Sequence, residues 1–205
     1  MKRILAVLFA STMLLAACGG SGSAGPGSDS TGSGPKPSAD FNDADVAFAQ
    51  GMIPHHMQAV AMADLALKNA SSKDVTALAK QIKAAQDPEI KTLKGWLLAW
   101  GRTASSSSDK TGGMDPGSDT TMGGDTSGMG MMSTQAMSDL EAAMGAEFDK
   151  MFLEMMIEHH KGAIDMAATE KSDGKNADAK ALADQIITAQ KAEITTMESL
   201  LASGA

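Results

Sequence analysis

The chain has 205 residues, with 17 basic against 25 acidic side chains and a formal net charge of −8 at pH 7. An acidic surface of this kind argues against nucleic-acid binding and against electrostatic docking on anionic lipid. With two tryptophans, five phenylalanines and no tyrosine, the chain cannot use aromatic stacking as its main binding device. Its apolar residues are mostly Ala, Leu, Ile and Met, which favour helices over strands.

The first eighteen residues have the features of a bacterial lipoprotein signal. Lys2 and Arg3 form a positive start, and the run from Ile4 to Ala16 is almost entirely apolar. The run is shorter than the about 20 apolar residues that span a bilayer, and it suits a secretory signal. It leads through small residues to Cys18, the only cysteine, in a pattern that resembles the bacterial lipobox. We expect export, lipid attachment at Cys18 and an extracytoplasmic protein anchored to the cell membrane; the alternative is an ordinary signal with an incidental cysteine.

The rest of the chain divides by composition. Residues 19–40 are rich in Gly, Ser and Pro and predict a flexible tether. Residues 41–204 predict one folded unit, which consists of a first repeat (45–100), a Met/Gly-rich linker (101–133) and a second repeat (138–204). With an offset of 104 and no gap, 21 of 56 positions of the two repeats are identical. The matched positions include His55-His56 with His159-His160.

Each repeat predicts a helical hairpin, so the whole predicts an all-α, four-helix bundle. Apolar residues recur at steps of three and four along both halves of each repeat. Ser71 or Ser72 is a candidate N-cap after the first turn, and Gly174 marks the second turn. The run from Ser138 to Glu141 has the pattern of a capping box and predicts the start of a long helix.

Two prolines fall inside the predicted helices of the first repeat. Pro54 and Pro88 align with Glu158 and Ala192, which are compatible with a helix. The alignment therefore predicts kinks at both prolines. The alternative is that Asp87-Pro88 begins a new helix.

All four histidines lie in the two His-His pairs, which makes them candidate metal ligands. Neutral imidazole is the commonest metal ligand, and thioether sulfur suits Cu(I). Adjacent helical residues diverge by about 100°, so His55 and His56 cannot readily hold one ion from the same side. Met52 lies one turn before both histidines. We expect Met52 and its His pair to face Met156 and its His pair across the repeat interface.

Two further methionines, Met62 and its counterpart Met166, belong to the candidate metal-binding set at a second site. Met62 is seven residues from His55, roughly 10 Å along a helix, too far to share one set of ligands. Two other interpretations remain open. The methionines and histidines could be structural packing residues, or the histidines could serve acid–base catalysis.

The linker contains methionine as its only sizeable apolar residue. Such a segment cannot build a core, so packing does not explain its methionines. Flexible thioethers suit a soft monovalent ion because they carry no proton at physiological pH. The alternatives are compositional drift and a patch that docks on a partner or folds over the bundle. The candidate soft-metal residues are Met114, Met122, Met129, Met131 and Met132.

A carboxylate-bridged di-iron site is poorly supported. Such bundles need a full set of bridging Glu and Glu-x-x-His ligands. Glu154 and Glu158 precede the second His pair, but the first repeat has Gln50 and Pro54 there. Glu89 and Glu193 are matched between the repeats and could face the histidines.

The motif Met52-Ile53-Pro54-His55-His56, followed by Met62-Ala63 and Gln86-x-x-Glu89-Ile90, resembles the signature of the domain of unknown function 305 family. The second repeat repeats this motif, with Glu158 in place of the proline. The resemblance covers most of residues 45–204 outside the linker. It implies a secreted, ferritin-like helical bundle with a link to copper binding and tolerance, and it implies no established catalytic activity.

The sequence therefore predicts a lipid-anchored, extracytoplasmic protein that binds copper or another soft or borderline metal and that has no evident enzymatic activity. The alternative from a different class is a structural or interaction module of the cell envelope. In that case the histidines and methionines would only pack.

Overall fold

The computed structural model describes residues 40–104 and 130–204, and every regular element in these ranges is helical. The two repeats form two hairpins, as their alignment predicts. An additional short helix precedes the second hairpin. The five helices are α1 (Asp43–Asn69), α2 (Lys73–Ala99), α3 (Thr134–Ala142), α4 (Gly145–Asp173) and α5 (Ala177–Ser203).

Short polar side chains begin three of the four long helices. The Asn42 side chain accepts from the backbone N–H groups of Ala44 and Asp45, and the Asp45 carboxylate accepts from the Asn42 backbone. Ser72 caps α2, and Asn176 caps α5. Each cap satisfies an N–H group that has no partner inside the helix. The prediction of an N-cap at Ser71 or Ser72 is confirmed at Ser72.

The predicted helix start at Ser138 is wrong. Ser133 caps the short helix α3, and Ser138 lies inside it. The chain then becomes extended at Ala143 and Met144, and α4 begins at Gly145, whose φ of +63° suits glycine. The Ser-x-x-Glu pattern at Ser138 does not begin a helix because α3 has already begun at Thr134, with Ser133 as its N-cap.

Both prolines lie inside unbroken helices. Pro54 is within α1 and Pro88 is within α2. Pro88 therefore begins no new helix, while the kink expected at each proline stays a prediction.

Two apolar clusters form the core, one on each side of the helix midpoints. The Phe148 cluster includes the fully buried Met62, Ile82, Leu140, Phe148, Phe152 and Met156. The Trp96 cluster includes the buried Phe48, Met52, Leu93, Trp96, Leu97 and Trp100. The first half of α1 shares a cluster with the second half of α4, so these helices pack antiparallel. The histidines lie between the two clusters.

Two aspartates at equivalent places of the repeats connect the hairpins. The Asp149 carboxylate accepts hydrogen bonds from the backbone N–H groups of Ser71 (3.1 Å) and Ser72 (2.9 Å) at the start of α2. The Asp45 carboxylate accepts from the N–H of Asn176 (2.8 Å) at the start of α5. Each acid thus binds the positive end of a helix in the other repeat. Because each hairpin supplies an equivalent aspartate to the other, the two hairpins are related by a pseudo-twofold axis.

Gly174 ends α4 for a steric reason. Its φ of −67° suits any residue, but an added Cβ would lie 2.6 Å from the backbone oxygen of Glu170 and would also overlap its carboxyl group. We expect Gly174→Ala to lower the free energy of unfolding by about 1–3 kcal/mol, as overpacking does. Gly95→Ala is the matched control, since its Cβ would meet nothing within 4 Å in the interior of α2. That control should stabilise the protein slightly. Equal midpoints of urea unfolding for the two variants would contradict the steric reason.

Candidate functional site: a buried histidine layer

The two His-His pairs meet in the middle of the bundle. All four imidazoles are buried, and together they form what we call the histidine layer. His55 and His56 lie on α1, and His159 and His160 lie on α4. The ring centroids of His55 and His159 are 3.7 Å apart, with an interplanar angle of 37°. The antiparallel packing of α1 on α4 thus brings together the pairs that the repeat alignment relates.

The outer histidine of each pair contacts a carboxylate of its own hairpin. His56 Nε2 lies 2.7 Å from Glu89 Oε2, and His160 Nε2 lies 2.7 Å from Glu193 Oε2. Both carboxylates are mostly buried. If Nε2 carries the proton and donates it to the glutamate, the lone pair of the same ring is on Nδ1. Neither Nδ1 atom makes a hydrogen bond within the described ranges.

His159 is held in its neutral form. Burial, followed by the proximity of the other three histidines, lowers its pKa from 6.5 to about 2. Neither ring nitrogen of His159 makes a hydrogen bond in the part of the chain that the structure describes. Buried polar atoms without a protein partner are rare, and in folded proteins such atoms commonly bind an ion or a water molecule.

Two glutamines extend the histidine layer; the sequence motif contains them, but they were not among the predicted site residues. Gln86 and Gln190 are buried one turn before Glu89 and Glu193, on the same faces of α2 and α5. The Gln86 amide and the Gln190 Oε1 make no hydrogen bond among the described residues. Their identity in both repeats, together with the i, i+3 spacing to the glutamates, was the available signal.

The candidate methionines are divided between the two sides of the histidine layer, with one methionine of each repeat on each side. Met52 is fully buried in the Trp96 cluster, and Met166 packs against that cluster. Met156 and Met62 are fully buried in the Phe148 cluster. The histidines therefore face one another as expected, whereas Met52 and Met156 belong to separate apolar surroundings.

The end of the linker crosses the groove between α1 and α4 beside this layer. Gln58, three residues after His55, exchanges two hydrogen bonds (2.7 and 2.9 Å) with the backbone of Met132. Gly130, at φ +74°, packs so closely that an added Cβ would lie 2.9 Å from the Cα of Gly162. Gly162 is the counterpart of Gln58 and follows His159 by three residues.

Of the remaining candidate residues, some lie within the ranges that the structure describes and others lie outside them. Met132 packs against the Phe148 cluster, and Met131 is half-buried. Met114, Met122 and Met129 lie outside the described residues, as does Cys18. Within residues 40–104 and 130–204, no three His, Cys, Asp or Glu side chains form a group that could hold one ion. None of the helices in these ranges combines the length and apolar character that a membrane crossing requires.

Solved structures with the same helical fold include copper-bound forms. A Streptomyces coelicolor DUF305 protein thought to be secreted is 28% identical, with 78% of this chain and 92% of that chain covered and a TM-score of 0.67. A DUF305 fragment from Deinococcus radiodurans is 27% identical, covering 79% and 97% with a TM-score of 0.66. CopM in its Cu(II)-bound form is 32% identical, covering 78% and 97% with a TM-score of 0.62. CopM is also solved in a Cu(I)-bound form.

No curated protein matches the chain. The family model for the domain of unknown function DUF305 matches residues 45–201, which include nearly all of both hairpins, the linker and all four histidines. The chain therefore belongs to the DUF305 family.

Proposed function

We propose that this protein binds copper at the buried histidine layer, on the extracytoplasmic side of the membrane. The observation that carries the proposal is the set of buried imidazole nitrogens without hydrogen bonds, at His159, His56 and His160. Because its pKa is lowered, His159 is neutral at physiological pH, as coordination requires.

The donor types fit copper. Imidazole nitrogen suits both copper oxidation states, and thioether sulfur suits Cu(I). Met52 and Met156 each lie one turn before a His pair and could supply sulfur from either side. The Glu89–His56 and Glu193–His160 contacts match the usual arrangement in which a carboxylate orients a metal-binding histidine. The copper-bound forms of CopM support the same choice of metal.

The linker methionines form the second part of the proposal. Met114, Met122, Met129, Met131 and Met132 would recruit Cu(I). Since Met132 is hydrogen-bonded to Gln58 one turn after His55, the described end of the linker lies beside the histidine layer. The protein would then serve copper sequestration or tolerance.

We also propose that Cys18 carries the membrane anchor. Cys18→Ala should shift the protein from the membrane fraction to the soluble fraction, or leave the signal uncleaved, because the lipid attaches through the cysteine sulfur. Cell fractionation and mass spectrometry of the mature N-terminus measure this. An unlipidated wild-type N-terminus would contradict the anchor.

A structural or interaction module remains the second candidate. Full burial of Met52, Met62 and Met156 in apolar clusters favours packing as their role. Metal analysis of protein purified without added metal separates the two candidates. Melting temperatures with Cu(I), Ag(I), Zn(II) or a chelator should change only if an ion binds the folded state. A protein that is metal-free and insensitive to all of these ions would be a packing module.

The glutamates allow a milder test of the copper site. Glu89→Gln together with Glu193→Gln should weaken copper binding by about 10–100-fold, the usual cost of losing a carboxylate that orients a ligand. Glu141→Gln and Glu147→Gln, at exposed positions, form the matched control. Competition titration against a chelator of known affinity measures the change. An unchanged affinity would remove the glutamates from the site.

A further inference from the structure

The four imidazoles of the histidine layer are closed off from solvent. Each is at most 1% exposed, so a metal ion cannot reach the inner pair, His55 and His159, unless part of the protein moves. The two apolar clusters lie on either side of the layer, and α2 and α5 contact the outer histidines through Glu89 and Glu193. The remaining approach in the described part of the chain is the seam between α1 and α4, where the inner rings meet.

A short non-helical segment lies over this seam. Residues 130–133, which we call the strap, connect the linker to α3 and contact both long helices. On the α1 side, the Gln58 side chain accepts from the Met132 N–H (2.7 Å) and donates to the Met132 carbonyl oxygen (2.9 Å). On the α4 side, Gly130 lies so close that an added Cβ would be 2.9 Å from the Gly162 Cα. The strap is therefore held on both sides of the seam.

The strap contacts the helices beside the inner histidines. Gln58 follows His55 by three residues and Gly162 follows His159 by three, so each lies next to its histidine on one helix face. The two repeats differ at this matched position, with a side chain that binds the strap on α1 and none on α4. A glycine weakens a helix interior. The close approach of Gly130 gives Gly162 a physical reason, because a side chain there would compete with the strap for space.

We propose that the strap gates the histidine layer, so that copper enters and leaves when residues 130–133 lift off the seam. This inference rests on the proposed copper site and concerns the rate of exchange there. Lifting the strap breaks both hydrogen bonds of Gln58 and withdraws Met132 from the Phe148 cluster, while α1 and α4 keep their places. The strap contains no imidazole, and thioether sulfur is poorly suited to Cu(II). For Cu(II) it should therefore slow entry and exit by the same factor and leave the affinity unchanged.

The first test is stopped-flow measurement of Cu(II) exchange by the full chain. Uptake by metal-free protein gives the entry rate, and transfer of bound Cu(II) to excess EDTA gives the exit rate. Gln58→Ala, which loses two hydrogen bonds to the strap, should increase both rates by about tenfold and keep the dissociation constant within about twofold of wild type. Gln50→Ala is the matched control and should behave as wild type. Gln50 is also half-buried on α1, but it donates to the Thr103 carbonyl oxygen, away from the strap.

The second test changes the α4 side without altering either long helix. In Gly130→Ala the Cβ would overlap the backbone of α4, so both Cu(II) rates should again increase, by about tenfold or more. Gly101→Ala is the matched control, since its φ of +67° is close to the +74° of Gly130 but its Cβ would meet nothing within 4 Å. In metal-free protein, hydrogen exchange of the Met132 N–H reports strap opening and should be faster in Gly130→Ala than in Gly101→Ala.

Three results would overturn the gate. Faster hydrogen exchange at Met132 with unchanged Cu(II) rates in Gly130→Ala would show that the strap opens without controlling access. A weaker affinity that arises from the exit rate alone would make the strap part of the binding site. Wild type that binds no Cu(II) would remove the proposed copper site and the gate together, and slow exchange of the Met132 N–H would then describe a structural clip. The first two results leave the copper site intact, so the two failures are distinguishable.

Discussion

Replacing His55 and His159 together by phenylalanine is expected to abolish tight copper binding by the bundle. Phenylalanine keeps an aromatic ring between α1 and α4, where the two imidazoles are 3.7 Å apart, but removes all four ring nitrogens. Loss of a residue that only orients a ligand costs about 10–100-fold in affinity, so loss of two ligands should cost more. The stabilisation by excess copper, about 2.7 kcal/mol at a hundredfold excess over the dissociation constant, should vanish as well.

Matched variants separate the two proposed copper sites. Replacing Met114, Met122 and Met129 by leucine keeps the length of the linker and removes three thioethers. This variant should lose Cu(I) capture in mild acid but retain the histidine site. Met57→Leu, at an exposed position, is the control for methionine content. If wild type, the phenylalanine variant and the leucine variant bind Cu(I) equally, copper binding at these residues is wrong and packing is their role.

A strong dependence of stability on pH is expected in the metal-free protein, in opposite directions for two buried groups. His159 has a pKa of about 2 when folded and 6.5 as the ordinary value. Between these values the unfolded chain binds one more proton than the folded chain. The contribution of neutral His159 to the free energy of unfolding is therefore lost as the pH falls below 6.5, by about 1.4 kcal/mol per pH unit.

Glu170 acts in the other direction. Its pKa is about 8 when folded and 4.5 as the ordinary value, so the folded chain holds the extra proton between these values. Its contribution is present below pH 4.5 and is lost as the pH rises towards 8, again by about 1.4 kcal/mol per pH unit. From pH 4.5 to 6.5 the two effects oppose each other. The free energy of unfolding of wild type should therefore have a broad maximum in this range and decrease towards pH 8.

Glu170→Gln separates the two effects. Without the carboxyl group, the free energy of unfolding should increase from pH 4.5 to 6.5 and then level off, and the variant should exceed wild type most at pH 8. Adding His159→Phe should remove the remaining slope below pH 6.5. Urea unfolding of the three proteins from pH 4.5 to 8 measures both effects. Parallel curves for wild type and Glu170→Gln would show that Glu170 titrates normally.

Much of the architecture could be predicted from the sequence because helical periodicity and an ungapped repeat are local signals. The stripe through Met52, His55, Ala59 and Met62 and the turn at Ser72 need only spacing and residue type. The repeat then implies two similar hairpins, and their association brings the His pairs together. The facing of Glu89 and Glu193 towards the histidines was likewise anticipated from their matched positions.

Other features depend on how α1 docks antiparallel on α4, which spacing along one chain does not reveal. That docking places Met52 and Met156 in separate clusters. It also brings Asp149 to the start of α2 and Asp45 to the start of α5.

Periodicity and identity along the chain are enough to predict the repeats, the helical hairpins and the confinement of every histidine to the duplicated motif. The tertiary structure was needed to find that Met132 lies over the groove beside His55. It was also needed to find a cavity lined by Gly51 and Glu170, at a place whose counterpart is filled by Met155. Both depend on side-chain volume between helices far apart in sequence. Gly51 and Met155 occupy equivalent positions, but only packing shows that one leaves space that the other fills.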